Sequence, residues 1–391
     1  MNTNFIFSRT PQIHFGPGKL AQLPALLHHN GGRVLLVTGA ASFRASPHCA
    51  RLLQGLAAEN IHVDVVSFRG EPSPDFVDAV AADFRAQGPD WVIGIGGGSA
   101  IDAGKAIAAM LPQEGSVRDF LEGMATRQHD GRKIPFAAVP TSAGTGAEAT
   151  KNAVLSIVGE HGFKRSLRHD NFMPDLALVD PELAMGCPPA VTAACSLDAL
   201  TQLLEAYVST QASPMTDALA LSGLRHATDG FLRACERGDD LNARTHMAYA
   251  ALLSGIVLAN AGLGLVHGFA GPIGGAIPMP HGEVCGTLLG ETTRRTIEAL
   301  QADPEKHATA LAKYAQAGVI LSGQSPASPQ TDCQRLVDTL NDWIERTRIP
   351  RLGQYGMRIG DLPHILDQAH NKNNPVGLDR SQMKAILTAR L

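Results

Sequence analysis

Through the first half of the chain, short apolar runs rich in β-branched residues alternate with segments of helical periodicity. Residues 34–38, 63–68 and 91–95 predict strands. Each ends in breakers: Gly39 after the first, Gly70, Pro72 and Pro74 after the second, and Gly96, Gly97 and Gly98 after the third. Phe76, Val77, Val80 and Phe84 approximate one face of a helix over 75–87, and a second helix is expected over 101–110, stopped by Pro112. Further strands are expected at 135–139, 154–158 and 176–179. Strands alternating with helices imply a mostly parallel sheet with right-handed crossovers, although strand order cannot be read from the pattern. The pattern changes near 182–189. Beyond Pro188 and Pro189 the apolar positions predict a succession of long helices, over 190–209, 213–233, 241–260, 296–318, 329–345 and 378–390. Two domains are expected, an α/β unit over 1–185 and an all-helical unit over 186–391.

Composition narrows the classes of partner. A net charge of −4 over 391 residues gives no electrostatic basis for binding nucleic acid or an anionic membrane. The basic cluster Lys164, Arg165 and Arg168 reads as a solvated turn or as the rim of a small anionic ligand. Six cysteines with no paired spacing read as reduced thiols, and residues 1–9 carry no apolar signal region, so a cytoplasmic protein is expected. No Asp, Glu, Lys or Arg occurs between Arg244 and Glu283, which raises the question of a membrane span. Asn260 and seven glycines from Gly255 to Gly275 interrupt that run, so a buried helical hairpin around a site is the better reading.

Two loops and one dispersed group of side chains suggest chemistry. Gly94-Ile95-Gly96-Gly97-Gly98-Ser99 joins a strand to a helix, where small residues let backbone N–H groups approach a phosphate and Ser99 can cap the helix. The spacing differs from the usual dinucleotide fingerprint, and a glycine-rich corner without a ligand is the alternative. Residues 140–148 also follow a strand, and Thr141, Ser142 and Thr145 there suit ribose or phosphate contact. Two such loops at the carboxyl ends of strands favour a nucleotide in a crevice. Farther on, Asp198 and Gln202 lie one helical turn apart, and His267 and His281 fall in the uncharged stretch. A carboxylate and imidazoles can bind a divalent metal, or each can be a satisfied core or capping group.

Over nearly its whole length the sequence resembles the iron-containing (group III) alcohol dehydrogenase family. The likeness is carried by Phe15-Gly16-Pro17-Gly18, by residues 96–105 with Asp102 and Lys105, by 140–154, by 175–181, by 197–200 and by 264–268 with 280–282. It implies a dehydroquinate synthase-like fold, a homodimer, and reversible hydride transfer between NAD or NADP and a small alcohol or aldehyde in a cleft between the domains. Fe²⁺ is the first metal implied and Zn²⁺ the second, on one Asp and three His. Three ligands are kept as Asp198, His267 and His281, while Gln202 stands where a histidine is expected and offers a weaker, neutral donor. Gly271 replaces a histidine near the substrate, so proton exchange would need water, a ribose hydroxyl, or a side chain such as His161 or His370. The resemblance also puts Gly96, Gly97, Gly98 and Ser99 on the pyrophosphate, Asp102 on the amide or ribose side, and Lys164 among the cofactor contacts. Gly39 stands where NAD-preferring members carry an acid, which admits NADP, with Arg44 able to meet its phosphate. Two alternatives stay open: a maleylacetate-reductase-like enzyme, and a non-catalytic nucleotide-binding protein whose metal site has decayed.

Overall fold

In a computed structural model, residues 3–28, 32–159 and 162–391 are described. The first half runs β1 (Gln12–Phe15), α1 (Leu23–His28), β2 (Arg33–Gly39), α2 (Pro47–Ala58), β3 (His62–Phe68), α3 (Pro74–Arg85), β4 (Trp91–Gly96), α4 (Gly98–Met110) and β5 (Phe136–Pro140). It continues with β6 (Asn152–Ile157), β7 (Phe163–Arg168) and β8 (Leu176–Val179). Six of these strands form one sheet in the order β1-β8-β5-β4-β2-β3, and every neighbouring pair is parallel. The residues of β4 and β5 are buried throughout, as strands covered on both faces must be. Leu20, Leu36, Leu52, Ile93, Val139 and Leu178 belong to one apolar core of this unit. Residues 154–158, expected in the main sheet, instead belong largely to β6, which pairs with β7 in a separate two-stranded sheet. Asp180 closes the unit by accepting hydrogen bonds from Gly18 N at 3.1 Å and Leu20 N at 2.9 Å, which ties the opening turn to the end of β8.

The second half is helical: α5 (Pro189–Val208), α6 (Pro214–Glu236), α7 (Leu241–Ala261), α8 (Leu265–Ala276), α9 (His281–Gln301), α10 (Ala308–Ser322), α11 (Pro329–Arg346), α12 (Leu362–Gln368) and α13 (Arg380–Ala389). Contacts divide the chain into two units. Ser8–Ile157 with Lys164–Met185 forms one, and Gly186–Leu391 joins the described parts of Met1–Phe7 and Val158–Phe163 in the other. Nearly every residue of α5 is buried, and the helix packs against α6, α7, α9 and α10; its apolar residues meet those neighbours, while Asp198, Gln202 and Glu205 are buried polar groups among them. The helix expected over 296–318 is two helices, α9 and α10, broken around Pro304, where a proline cannot supply the N–H that continues the ladder. The uncharged stretch forms α7 and α8, which meet at a bend of 100° rather than as a hairpin. Among the described residues no single helix is long and apolar enough to cross a membrane.

Candidate functional site

In the α/β unit the carboxyl ends of β2 and β4 lie side by side. The chain leaves β2 toward β3 on one side and leaves β4 toward β5 on the other. Such a reversal opens a crevice above the strand ends, the usual place for a ligand in an open parallel sheet. A cavity of about 430 Å³ lies there, lined among others by Gly39, Ser42, Phe68, Arg69, Gly97 and Ser99. The turn from β4 into α4 needs its glycines. Gly96 has φ +154°, and a Cβ on it would sit 2.6 Å from the Cβ of Ala100. A Cβ on Gly98 would meet Thr145 at 2.7 Å, so the two small-residue loops are in contact. Thr141 N donates to Gly96 O at 2.8 Å and extends that contact along the backbone.

Lys105 fastens the second loop to α4. Its side chain is fully buried, and Nζ donates to the carbonyls of Ala147, Thr150 and Asn152, each at 2.8 Å. Burial pulls its pKa down to about 8 against the pull of Asp102 and Glu148. Burial likewise pushes Asp102 up to about 6, opposed by Lys105 and by a hydrogen bond from the Val154 backbone, and pushes Glu148 up to about 7. Gly39, Gly97 and Ser99 thus line one cavity, with Gly96, Gly98, Ser142 and Thr145 packed beside it. Ser99 does not cap α4. The helix begins at Gly98 with Gly97 as its N-cap, so Ser99 already has helical backbone. Asp102 and Lys164 lie outside the cavity lining. Lys164 pairs with Glu71, which also accepts from Ser156 Oγ at 2.5 Å. Arg44 Nη1 donates to Ser67 Oγ at 3.3 Å, beside the end of β3.

In the helical unit three helices bring four side chains to one point. Asp198 is on α5, His267 on α8, and His281 and Cys285 are one turn apart on α9; their ligand atoms all lie within 4.8 Å of one another. Gly282 makes this possible: a Cβ there would stand 2.4 Å from Ala194 O, so the first turn of α9 presses directly on the backbone of α5. His267 Nε2 is 3.3 Å and His281 Nε2 is 3.7 Å from Asp198 Oδ1. That oxygen is buried and accepts no hydrogen bond from any described residue. Glu205, one turn below Gln202 on α5, holds His267 from behind. Its Oε2 is 2.7 Å from His267 Nδ1, while Oε1 accepts from Val266 N at 2.6 Å in the first turn of α8. A carboxylate at that helix start also meets the positive end of the helix dipole.

The electrostatics attract positive charge. Burial works against an imidazolium at His267, yet its interactions with Cys285, Asp198 and Glu205 prevail and its pKa is raised well above the ordinary value; burial pushes the Cys285 thiol itself up to about 12. Burial works against the Asp198 carboxylate, but His281 and His267 outweigh it and its pKa is lowered. A carboxylate, two imidazoles and a thiol around one point fit a divalent cation. Bonds of about 2.0–2.1 Å at tetrahedral angles separate nitrogen and oxygen ligands by about 3.3–3.4 Å. The observed 3.3 and 3.7 Å need little adjustment.

The structure therefore brings Asp198, His267 and His281 together. Gln202 faces Ser254, whose hydroxyl lies 2.8 Å from its Oε1. Gly271 leaves open space, with nothing within 4 Å of where a Cβ would be. His370 is exposed, and His161 lies outside the described residues. Cys285 joins this cluster and Glu205 backs it, and sequence reasoning missed both. The signal for each was helical spacing, seven residues after Asp198 and four after His281.

Residues 10–181 match the family description "Iron-containing alcohol dehydrogenase", and residues 192–391 match "Fe-containing alcohol dehydrogenase family, C-terminal". The chain belongs to the iron-containing alcohol dehydrogenase family. It is an enzyme, an oxidoreductase that acts on alcohols and aldehydes. Long-chain-alcohol dehydrogenase 1 of Geobacillus thermodenitrificans is 37% identical over 97% of this chain and 95% of that protein. The NADPH-dependent butanol dehydrogenase of Clostridium saccharobutylicum is 30% identical over 97% and 96%. Among solved structures of iron-containing alcohol dehydrogenases and their kin, a 1,3-propanediol oxidoreductase superposes with a TM-score of 0.88 at 29% identity, covering 99% of this chain and all of that one. A non-catalytic, decayed protein is set aside by these relatives.

Proposed function

We propose that this alcohol dehydrogenase oxidises small, modestly polar alcohols and reduces the matching aldehydes with NADP(H) in preference to NAD(H), using a divalent cation held by Asp198, His267 and His281. The observation that carries this reading is the convergence of the Asp198 carboxylate and the imidazoles of His267 and His281 on one point. A bound divalent cation there supplies Lewis-acid polarisation of the substrate oxygen, and the nicotinamide ring supplies the hydride acceptor or donor. With the cation bound, Glu205 would keep the proton of His267 on Nδ1 and leave Nε2 free to hold the cation beside Asp198. Gly271 carries no acid or base, and the open space beside it admits water, so the alcohol proton leaves to solvent.

Backbone N–H groups at Gly97, Gly98 and Ser99 hold the diphosphate at the start of α4, with Thr141, Ser142 and Thr145 as neighbouring polar contacts. Preference for NADP(H) is supported by Gly39, which puts no carboxylate on the ribose, and by Arg69 in the same cavity lining. A guanidinium pairs with a 2′-phosphate through charge-assisted hydrogen bonds. Arg69→Ala is expected to lower the NADP⁺ over NAD⁺ ratio of kcat/KM about tenfold; an unchanged ratio removes Arg69 from cofactor choice. Asp102 is assigned to the amide or ribose side of the cofactor, and Lys164, paired with Glu71, to the cofactor contacts. Six thiols, none paired in a disulfide, support a reducing, cytoplasmic setting, and a homodimer is expected from the family.

The direct test strips the protein with chelator, restores Fe²⁺ or Zn²⁺, and screens small alcohols with NADP⁺ and NAD⁺. Turnover that returns only with a cation and runs faster with NADP⁺ supports the reading. Full turnover in protein proven metal-free overturns its metal half.

A further inference from the structure

Cys285 has no place in the ligand set that the family resemblance implies, yet its side chain completes the cluster. Its Sγ is 3.6 Å from His267 Nε2 and 3.7 Å from His281 Nε2, and the residue is fully buried. Bonds of about 2.3 Å to sulfur and about 2.0 Å to nitrogen, at tetrahedral angles, put the two donors about 3.5 Å apart. The distances from the sulfur to both imidazoles therefore match those of donors sharing one tetrahedral cation. It is one helical turn from His281 on α9, so the two donors share a face and move together. Gln202 has no comparable claim. Whichever way its amide lies, one end is engaged with the hydroxyl of Ser254, and a neutral amide is a poorer donor than a thiolate.

Resting on the metal reading above, we propose that Cys285 Sγ, as thiolate, is the fourth protein donor, giving an Asp198–His267–His281–Cys285 set that favours Zn²⁺ over Fe²⁺. Binding displaces the thiol proton, which is released to solvent as the sulfur–metal bond forms. A soft donor in a tetrahedral site shifts the balance toward zinc, whereas a set of carboxylate, imidazole and amide donors suits harder, six-coordinate metals.

The test loads chelator-stripped full-length protein with Co²⁺ and records its absorbance, a readout independent of turnover. The expected result is one bound cobalt with an intense near-ultraviolet thiolate-to-cobalt charge-transfer band. The band should vanish in Cys285→Ser and persist in Cys195→Ser and in Gln202→Ala. Zinc affinity should fall at least about tenfold to a hundredfold in Cys285→Ser, as for the loss of a group that tunes a metal site, and by much less in Gln202→Ala. Stoichiometric cobalt without the band in the unmodified protein overturns the thiolate assignment while leaving the metal reading intact, and needs no variant to fold. A band that survives Cys285→Ser overturns it as well. No cobalt bound above the level of Asp198→Ala overturns both.

Discussion

The proposed nucleotide loop of the α/β unit and the side-chain cluster of the helical unit are built on opposite plans. The first is nearly all backbone: consecutive glycines, a helix start, and a second loop whose shape is fixed through its carbonyls. The second is all side chain, drawn from three helices and from positions 198 to 285. A backbone site tolerates changes in side-chain chemistry but not in size. A side-chain site tolerates changes in size around it but not in chemistry.

That contrast can be broken in four places. Asp198→Ala should lose the bound metal and lower kcat/KM by about a thousandfold or more, since a Lewis acid supplies several kcal/mol to the barrier. Cofactor binding, followed by NADPH fluorescence, should hold within about twofold because the change touches no backbone of the other site. A comparable loss of cofactor affinity would show the two sites to be one energetic unit. Glu205→Gln should weaken metal retention about tenfold to a hundredfold, with turnover recovered by excess metal; metal content after dialysis measures it, and unaltered retention would strip Glu205 of its orienting role. Gly98→Leu should weaken NADPH about tenfold, by forcing the loops apart at Thr145, while metal content stays stoichiometric. Equal affinity would move the diphosphate elsewhere.

The smallest effect concerns pH. Glu148 titrates at about 7 in the folded protein because it is buried, against an ordinary 4.5. Between those values the folded chain keeps a proton that the unfolded chain has lost, so stability falls as pH rises. This contribution is complete below 4.5 and is gone once pH passes through about 7. Glu148→Gln should flatten the decline of Tm across that window, and parallel Tm curves for the two proteins would refute the assignment.

The same contrast decides what could be read from sequence. The β4–α4 turn was legible because its parts are contiguous: a buried strand, three glycines and a helix in about twenty residues. Asp198, His267 and His281 were legible through family motifs, since nothing in their spacing says that α5, α8 and α9 meet. Cys285 and Glu205 escaped because a buried thiol and a buried acid gain meaning only from what packs against them. Phe163–Arg168 carries three cations in six residues and reads as a loop, but pairing with β6 makes it a strand. Ser46 and Pro47 are good helix-start residues, yet α2 emerges only through packing of Cys49, Leu52 and Leu56 into the sheet core. Chain separation, not weak propensity, limited the reading.

Lys105 addresses its neighbours by their carbonyls, which every amino acid possesses. Residues 147–152 can therefore drift in identity through descent while the contour they present to a ligand stays the same. Variation among relatives should pool in that loop's outward side chains, and the ammonium that reads its main chain should be the member that cannot be exchanged.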